Sequence, residues 1–236
     1  TALDGRAGIA ARLDANGTTL LVDADHRLFP TAHFGPARTP LARTRIVPAA
    51  FLGYDLSLIG ADGPVRLAEV FGGRSQLIVY HHMWSPGAEW QCPGCTGFTS
   101  QFTRLEFLDN YDARFVIVTN GPIDEALEYR RKVGNRMQWY SSSDSSFGAD
   151  MDAPPGGGFA DNVFLRDGET VYRTWHTNGR GTEQLSHSFA LIDILPWGRQ
   201  EEWLDSPPGW PSRPTYSGWS GSSDIARAYG PEDGDE

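Results

Sequence analysis

The middle of the chain alternates between two spacings of apolar residues. Residues 75–80 and 114–119 are short runs rich in β-branched and aromatic side chains, which are typical of strands buried on both faces. Residues 96–110 repeat large apolar side chains at intervals of three and four, which predicts a helix. A second helix is predicted over residues 123–131, with Pro122 at its first turn. The order predicted here is strand, helix, strand, helix.

Further along, strict alternation of apolar and polar positions predicts antiparallel pairing. Residues 162–166 and 169–175 alternate on either side of Asp167-Gly168, a dipeptide that favours a tight hairpin turn. Residues 182–192 then predict a closing helix. This half of the pattern is strand, strand, helix.

The chain upstream of residue 75 carries weaker signals. Residues 51–56 alternate and are followed by a glycine-containing turn at 60–64, which predicts a hairpin whose second strand is 65–67. Residues 9–13 show a short helical pattern and residues 18–22 an apolar run. No firm assignment follows for the first forty residues.

A parallel βαβ half followed by an antiparallel ββα half is the arrangement of the thioredoxin-like fold. The predicted class is therefore α/β, with a central mixed sheet flanked by helices. The predicted boundaries are an N-terminal extension over 1–43, the thioredoxin-like domain over 44–197, and an irregular C-terminal arm over 198–236 with an acidic end. The tryptophans of the C-terminal segment are expected to pack against the body or against a second copy in a homo-oligomer: Trp197, Trp203, Trp210 and Trp219.

Charge and composition exclude some functions. The chain has 20 basic and 30 acidic residues and a formal net charge of -10, so its surface repels a phosphate backbone and no nucleic-acid partner is expected. No run approaches the ~18 apolar residues needed to cross a bilayer, so no membrane association is expected. A cytoplasmic location is the default expectation.

The candidate chemistry lies in Cys92-Pro93-Gly94-Cys95, which holds both cysteines of the chain. The pair follows the predicted buried strand and opens the predicted helix, whose N-terminal amides and partial positive charge favour a thiolate. Cys92 is then the candidate nucleophile. Cys95, one helical turn later, is placed to resolve a mixed disulfide by thiol–disulfide exchange.

A metal site is the alternative interpretation. His81 and His82 precede the cysteines by about ten residues, and two thiolates with an imidazole suit Cu(I). His176 is a more distant candidate ligand. A zinc finger is disfavoured because His176 and His187 are eleven residues apart, outside the usual spacing. The simpler alternative is that one of His81 and His82 is buried and the other is solvated.

Four further residues are candidate substrate contacts. Trp84, Trp90 and Trp175 would form an apolar mouth around the cysteines, with core packing as the alternative. Arg180 would bind an anionic group, with a surface role as the alternative.

The motifs together resemble the thioredoxin-like family of predicted dithiol-disulfide oxidoreductases, domain of unknown function 899. The resemblance spans residues 65–208. Its landmarks are segments 77–83, 92–95, 139–143 with Phe147, 164–168 and 191–199. It implies a thioredoxin-like fold and a dithiol/disulfide role for Cys92 and Cys95. The chain departs from the family pattern at His82 and Gly94, and it lacks an evident long N-terminal helix.

Three functions follow as hypotheses. The leading one is a thiol-disulfide oxidoreductase that needs no cofactor and acts on a small thiol, disulfide or peroxidic substrate or on a redox partner protein. The second is a copper-binding protein or copper enzyme, similar in layout to Sco-type copper chaperones, which use two Cys and a distant His on a thioredoxin fold. The third is a binding module with a vestigial disulfide.

Overall fold

The described part of the chain contains two sheets. A computed structural model describes residues 56–229 and, before them, the backbone of β1 (Ala10–Leu13), β2 (Thr19–Val22) and β3 (Val47–Pro48). β1 pairs antiparallel with β2. The helical pattern predicted at residues 9–13 is therefore wrong for Ala10–Leu13, because five residues span little more than one helical turn and pairing with a second strand decides the conformation.

The remaining elements alternate in type along the chain. They are β4 (Ser57–Gly60), β5 (Gly63–Arg66), α1 (Leu67–Val70), β6 (Gln76–His82), α2 (Pro93–Ser100), β7 (Ala113–Thr119), α3 (Ile123–Lys132), β8 (Gln138–Ser141), α4 (Phe147–Asp150), β9 (Ala160–Asp167), β10 (Thr170–Asn178), α5 (His187–Asp193) and α6 (Ser222–Tyr229). In the described part of the chain, 3-10 helices cover Glu106–Tyr111 and Gly179–Leu185.

The central sheet has the strand order and directions of the thioredoxin-like fold. β6 runs parallel to β7 and antiparallel to β9, and β9 runs antiparallel to β10. The four strands lie in the order β10-β9-β6-β7, with α2 and α3 as the crossover helices and α5 after the β9–β10 hairpin. β8, β4 and β5 extend one edge and β3 extends the other. The predicted fold class is confirmed.

The two faces of the sheet carry separate cores because successive side chains of a strand point to opposite faces. Val79 and its neighbours on one face pack with Phe147 and Met151. Tyr80, on the other face, packs with Cys95 and Phe98 of α2. The cysteine pair therefore belongs to only one face of the sheet.

The predicted helix at 96–110 has different bounds in the structure. α2 begins at Pro93 and ends at Ser100, and a 3-10 helix follows at Glu106–Tyr111. Side chains near the end of α2 compete for its carbonyls, since Ser100 Oγ and Gln101 Nε2 both donate to Gly97 O. The closing helix predicted at 182–192 is likewise divided at Ser186, where the backbone is extended.

Both hairpin predictions identify a real turn. Thr170 pairs with Asp167, and Gly168 between them has a positive φ of 57°. The upstream hairpin is formed by β4 and β5 around a turn that ends at Gly63. Residues 51–55 of its predicted first strand lie outside the described residues, and the observed second strand ends at Arg66.

The segment after α5 returns to the body and packs against α2. A Cβ atom on Gly97 would lie 2.6 Å from the Trp219 ring, so the tryptophan contacts the bare backbone of the helix. Ile225 of α6 lies against the same glycine and is buried. The predicted packing against the body is thus observed for Trp219, whereas Trp197, Trp203 and Trp210 are exposed. The domain boundaries stay a prediction. Within residues 56–229, no helix is both long enough and apolar enough to span a membrane.

The contact between α2 and Trp219 generates the first prediction. Gly97→Ala should lower the free energy of unfolding by about 1–3 kcal/mol, because the added methyl overlaps the indole ring. Gly94→Ala is the matched control, since its Cβ would meet only Cys92 Sγ at 3.7 Å. Urea denaturation of both variants measures the effect. Equal stability of the two variants would contradict the packing described here.

Candidate active site

The cysteine pair lies where the chain passes from β6 to α2. Cys92 occupies the N-cap position of α2, and Pro93 follows as the first helical residue, where a missing N–H costs no hydrogen bond. The Cys92 sulfur accepts a hydrogen bond from Cys95 N–H at 3.4 Å. Both cysteines are free thiols, with Cys92 partly exposed and Cys95 buried. The sulfur thus takes the capping role that a Ser or Asp oxygen fills in other helices.

The environment of Cys92 favours the thiolate. The hydrogen bond from the Cys95 thiol lowers the pKa of Cys92 to about 6, and the backbone N–H groups of Cys95 and Gly94 act in the same direction against partial burial. Every one of these donors is neutral. At pH 7 Cys92 is therefore largely ionised, as a nucleophilic thiol requires.

Cys95 has the opposite character. Burial raises its pKa well above the ordinary value, and the hydrogen bond and charge of Cys92 raise it further. The Tyr80 side chain and Met83 N–H both hydrogen-bond to the Cys95 sulfur, the latter at 3.4 Å. Cys95 is therefore a protonated thiol that donates to its neighbour. The pair consists of an exposed nucleophile and a buried, neutral partner.

Apolar side chains surround the two sulfurs. Tyr80 stacks on Phe98 beneath the pair, with ring centroids 4.7 Å apart. Partly buried residues that pack against this cluster form what we call the apolar collar: Met83, Phe159, Leu185 and Trp219. Cys95 therefore lies in apolar surroundings.

His82 lies on the same face of the sheet as the cysteines. Its Nδ1 donates to Met83 O at 2.8 Å, and its Nε2 lies 3.5 Å from Thr96 Oγ1. Burial lowers the pKa of His82 to about 4, so the ring is neutral at physiological pH. It serves the site as a fixed hydrogen-bonding group.

His81 lies on the opposite face, because β6 extends through both histidines. Its ring stacks on Phe147 at 5.5 Å, and burial, followed by the Arg173 charge, lowers its pKa to about 3. His176 belongs to that far side too, where its Nε2 lies 3.0 Å from Asp152 Oδ2. The strand predicted to end at residue 80 therefore continues through His82.

The metal-ligand set predicted from the sequence is not assembled. Cys92, Cys95 and His82 share one face of the sheet, and His81 points away from them. Between residues 56 and 229, no group of three or more His, Cys, Asp or Glu side chains is arranged to hold a metal ion. The physical reason is the twofold repeat of a strand, which separates neighbouring side chains across the sheet.

Two of the predicted mouth residues lie in the packing around α3. Trp84 is 5% exposed and meets Tyr129 edge-on at 5.9 Å. Its indole also covers the backbone of Gly121. Trp90 is partly buried beneath Lys132, whose Nζ lies 3.8 Å from the ring centroid.

The other two predicted contacts lie on β10 and after it. Trp175 pairs with Val163 just beyond an irregularity in the β9–β10 register. Arg180 lies 3.2 Å from carboxylates of both Glu183 and Glu201, and its guanidinium stacks over Trp203 at 4.4 Å. Its charge is thus already paired within the protein.

The family comparison covers most of the chain. The family model described as a bacterial protein of unknown function, DUF899, matches residues 37–224. The chain belongs to the DUF899 family. This agrees with the resemblance carried by its sequence motifs. A search of curated protein sequences found no match.

Several solved structures resemble this DUF899 protein in part. The bacterioferritin comigratory protein of Xanthomonas campestris, described with alkyl peroxide reduction activity, is 16% identical, with a TM-score of 0.40 over 56% of this chain and 88% of its own. A protein from Chlorobium tepidum, described as a thiol:disulfide interchange protein DsbE, is 15% identical. Its TM-score is 0.36 over 56% of this chain and 87% of its own. Reduced Prx3 from Vibrio vulnificus is 15% identical, with a TM-score of 0.34 over 59% and 88%.

A cavity of about 660 Å³ lies behind the active-site helix of the DUF899 protein. It is bounded by α2, α5 and the C-terminal arm, with Gly97 and Trp219 in its wall. Neither cysteine lines it.

Asp161 is a site residue that sequence reasoning missed. It lies on β9 opposite Tyr80 and is fully buried, and among residues 56–229 neither of its carboxylate oxygens has a hydrogen-bond partner. Burial raises its pKa well above the ordinary value, so the carboxyl group beside Tyr80 favours its protonated form. The sequence signal that could have identified Asp161 is its position directly before the predicted strand at residues 162–166.

The ionisation of Cys92 can be measured directly. The rate of alkylation by iodoacetamide should rise with pH around a midpoint near 6, because only the thiolate reacts. Cys95→Ala should move the midpoint upward by about 1–2 pH units through loss of a hydrogen bond to a charged sulfur. Cys95→Ser keeps a donor and should move it less. An unshifted midpoint in Cys95→Ala would contradict the described hydrogen bond.

Burial of Asp161 predicts a pH-dependent stability. The unfolded chain releases this proton near pH ~4, whereas the folded chain retains it to a higher pH, so the folded state binds more protons in between. The free energy of unfolding should fall as pH rises through this window, by at most about 1.4 kcal/mol per pH unit. Asp161→Asn should remove this contribution.

Denaturation of both proteins between pH 4 and 8 tests this expectation. The difference between the two curves isolates Asp161, and the exposed Asp144→Asn serves as the matched control. Parallel curves for wild type and Asp161→Asn would show that Asp161 is charged in the folded protein.

Proposed function

We propose that this protein is a thiol–disulfide oxidoreductase that uses Cys92 as the nucleophile and Cys95 as the resolving thiol. The observation that supports it most is the asymmetry of the pair. Cys92 is partly exposed with a lowered pKa, and Cys95 is buried with a raised one. Thiol–disulfide exchange needs one accessible, ionised thiol and one protonated thiol held in reserve, and the two cysteines differ in this way.

The first step is attack on a substrate disulfide. The Cys92 thiolate forms a bond to one substrate sulfur while the substrate S–S bond breaks. The second substrate sulfur leaves as a thiolate and takes a proton from solvent. The product is a mixed disulfide between Cys92 and the first substrate sulfur.

The second step releases the substrate. Once Cys92 is in a mixed disulfide it carries no charge, so two of the influences that raise the pKa of Cys95 disappear. The Cys95 sulfur then attacks Cys92 Sγ, and the bound substrate sulfur departs and takes the Cys95 proton. The substrate has gained two electrons and two protons, and Cys92 and Cys95 are joined by a disulfide.

The cycle closes with an external thiol. A dithiol partner protein or two equivalents of a small thiol would reduce the Cys92–Cys95 disulfide by the same exchange in reverse. The proposed chemistry uses sulfur atoms alone, so no cofactor takes part in it.

Trapping of the mixed disulfide tests the proposed roles. Cys95→Ser should accumulate a covalent adduct with a disulfide substrate, because the resolving sulfur is missing, and the adduct should dissociate in excess dithiothreitol. Mass spectrometry of the intact protein after incubation with oxidised glutathione or a peptide disulfide measures it.

Matched variants separate the roles of the two cysteines. Cys92→Ser should form no adduct under the same conditions, and the wild-type protein should form the internal disulfide with loss of two hydrogens. Full exchange activity in both single variants would overturn the proposal.

A further inference from the structure

The backbone on each side of the Cys92 sulfur is held by side chains from distant parts of the chain. The carbonyl of Gln91 accepts a hydrogen bond from Ser222 Oγ at 2.7 Å. The carbonyl of Cys92 accepts from Thr96 N–H and Thr96 Oγ1, both at 2.9 Å. The two peptide groups that flank the nucleophile are thus both fixed by hydroxyl groups.

These hydroxyls form one network with consistent donors. Thr96 gives its proton to Cys92 O, so Tyr129 OH donates to Thr96 Oγ1 at 2.7 Å. Tyr129 oxygen in turn interacts with the Gln91 backbone. Ser222 gives its only hydroxyl proton to Gln91 O and lies 3.3 Å from Thr96 Oγ1. The network therefore links α6, α3 and the first turn of α2.

Ser222 is held in place by the packing of the C-terminal arm. It is 4% exposed at the start of α6, three residues after Trp219 and three before Ile225, which both contact Gly97 of α2. A glycine at position 97 lets this arm approach the helix backbone. The serine hydroxyl is thereby brought to Gln91 across 131 positions of sequence.

The loop before Cys92 is also held by hydrogen bonds of the Gln91 side chain. The Gln91 side chain is buried and bonds in both directions to the backbone of Ser85, accepting from its N–H at 2.7 Å and donating to its carbonyl at 3.2 Å. The Gln91–Cys92 peptide group could still rotate between its two neighbouring residues. The hydrogen bond from Ser222 to its carbonyl restrains that rotation. The orientation of this peptide decides where the Cys92 sulfur lies relative to the N–H groups of α2.

We infer that Ser222 is a positioning residue of the active site: from the C-terminal helix, it fixes the Gln91–Cys92 peptide so that the Cys92 sulfur caps the first turn of α2. The inference rests on the proposed function for its catalytic meaning, and it assigns the C-terminal arm a part in the dithiol site. Loss of the Ser222 hydroxyl leaves Gln91 O buried without this donor, and the peptide can rotate.

The alkylation profile of Cys92 tests the inference. Ser222→Ala should shift the pH midpoint of iodoacetamide alkylation upward by about 0.3–1 pH unit, since the N–H groups of α2 are then less well aligned with the sulfur. Thr96→Val removes the neighbouring hydroxyl and should shift the midpoint in the same direction. Ser222→Thr restores a hydroxyl at the same position and should return the midpoint toward the wild-type value.

The adjacent Ser223→Ala is the matched control, and circular dichroism establishes that each variant is folded. A midpoint within 0.1 unit of wild type, in folded Ser222→Ala and Thr96→Val, overturns the positioning role even if stability falls. Alkylation needs no disulfide substrate. A failure of the exchange activity would therefore leave this test intact, and an unshifted midpoint in an active enzyme would refute the positioning role alone.

Discussion

The hydrogen bond from Cys95 N–H to the Cys92 sulfur is the interaction on which the site depends. A helix begins with amide groups that have no partner within the helix, and the residue at the N-cap normally supplies an acceptor. Here that acceptor is the Cys92 sulfur. The same atom caps the helix and serves as the nucleophile in the proposed function. Pro93 and Gly94 then leave the sulfur accessible from one side.

The sheet beneath this junction gives the two cysteines different surroundings. Tyr80 projects from the central strand toward Cys95, and Asp161 lies opposite Tyr80 on the next strand. Both residues are buried, so the protein interior next to Cys95 is shielded from water. Ionisation of the Cys95 thiol there costs free energy. Cys92, nearer the surface, accepts hydrogen bonds that stabilise its charge. The opposite pKa shifts of the two sulfurs therefore follow from their different burial and hydrogen bonds.

The C-terminal arm also contacts α2, from outside the sheet and its helices. The four-strand core with its helices accounts for the position of the cysteines. Outside that core, Trp219 and Ile225 pack against α2, and Ser222 hydrogen-bonds to the backbone just before it. A helix supported only by the sheet would be free to shift along its length. Contacts on both sides hold its first turn at the end of β6.

The sequence by itself determined the elements whose signals are local. The apolar runs at 75–80 and 114–119, the Asp167-Gly168 turn and the helix at 123–131 are specified by neighbouring residues, and the order of these elements is sufficient for the fold class. Cys92 at the start of a helix follows from the same information.

Only the tertiary structure decided what depends on pairing between distant segments. The separation of His81 from His82 required the true length of β6, the burial of Asp161 required its pairing with Tyr80, and the contact of Ser222 with Gln91 required the return of the arm. The physical reason is that periodicity and turn chemistry act over a few residues, whereas burial and hydrogen bonding are set by whichever remote segment packs against a site.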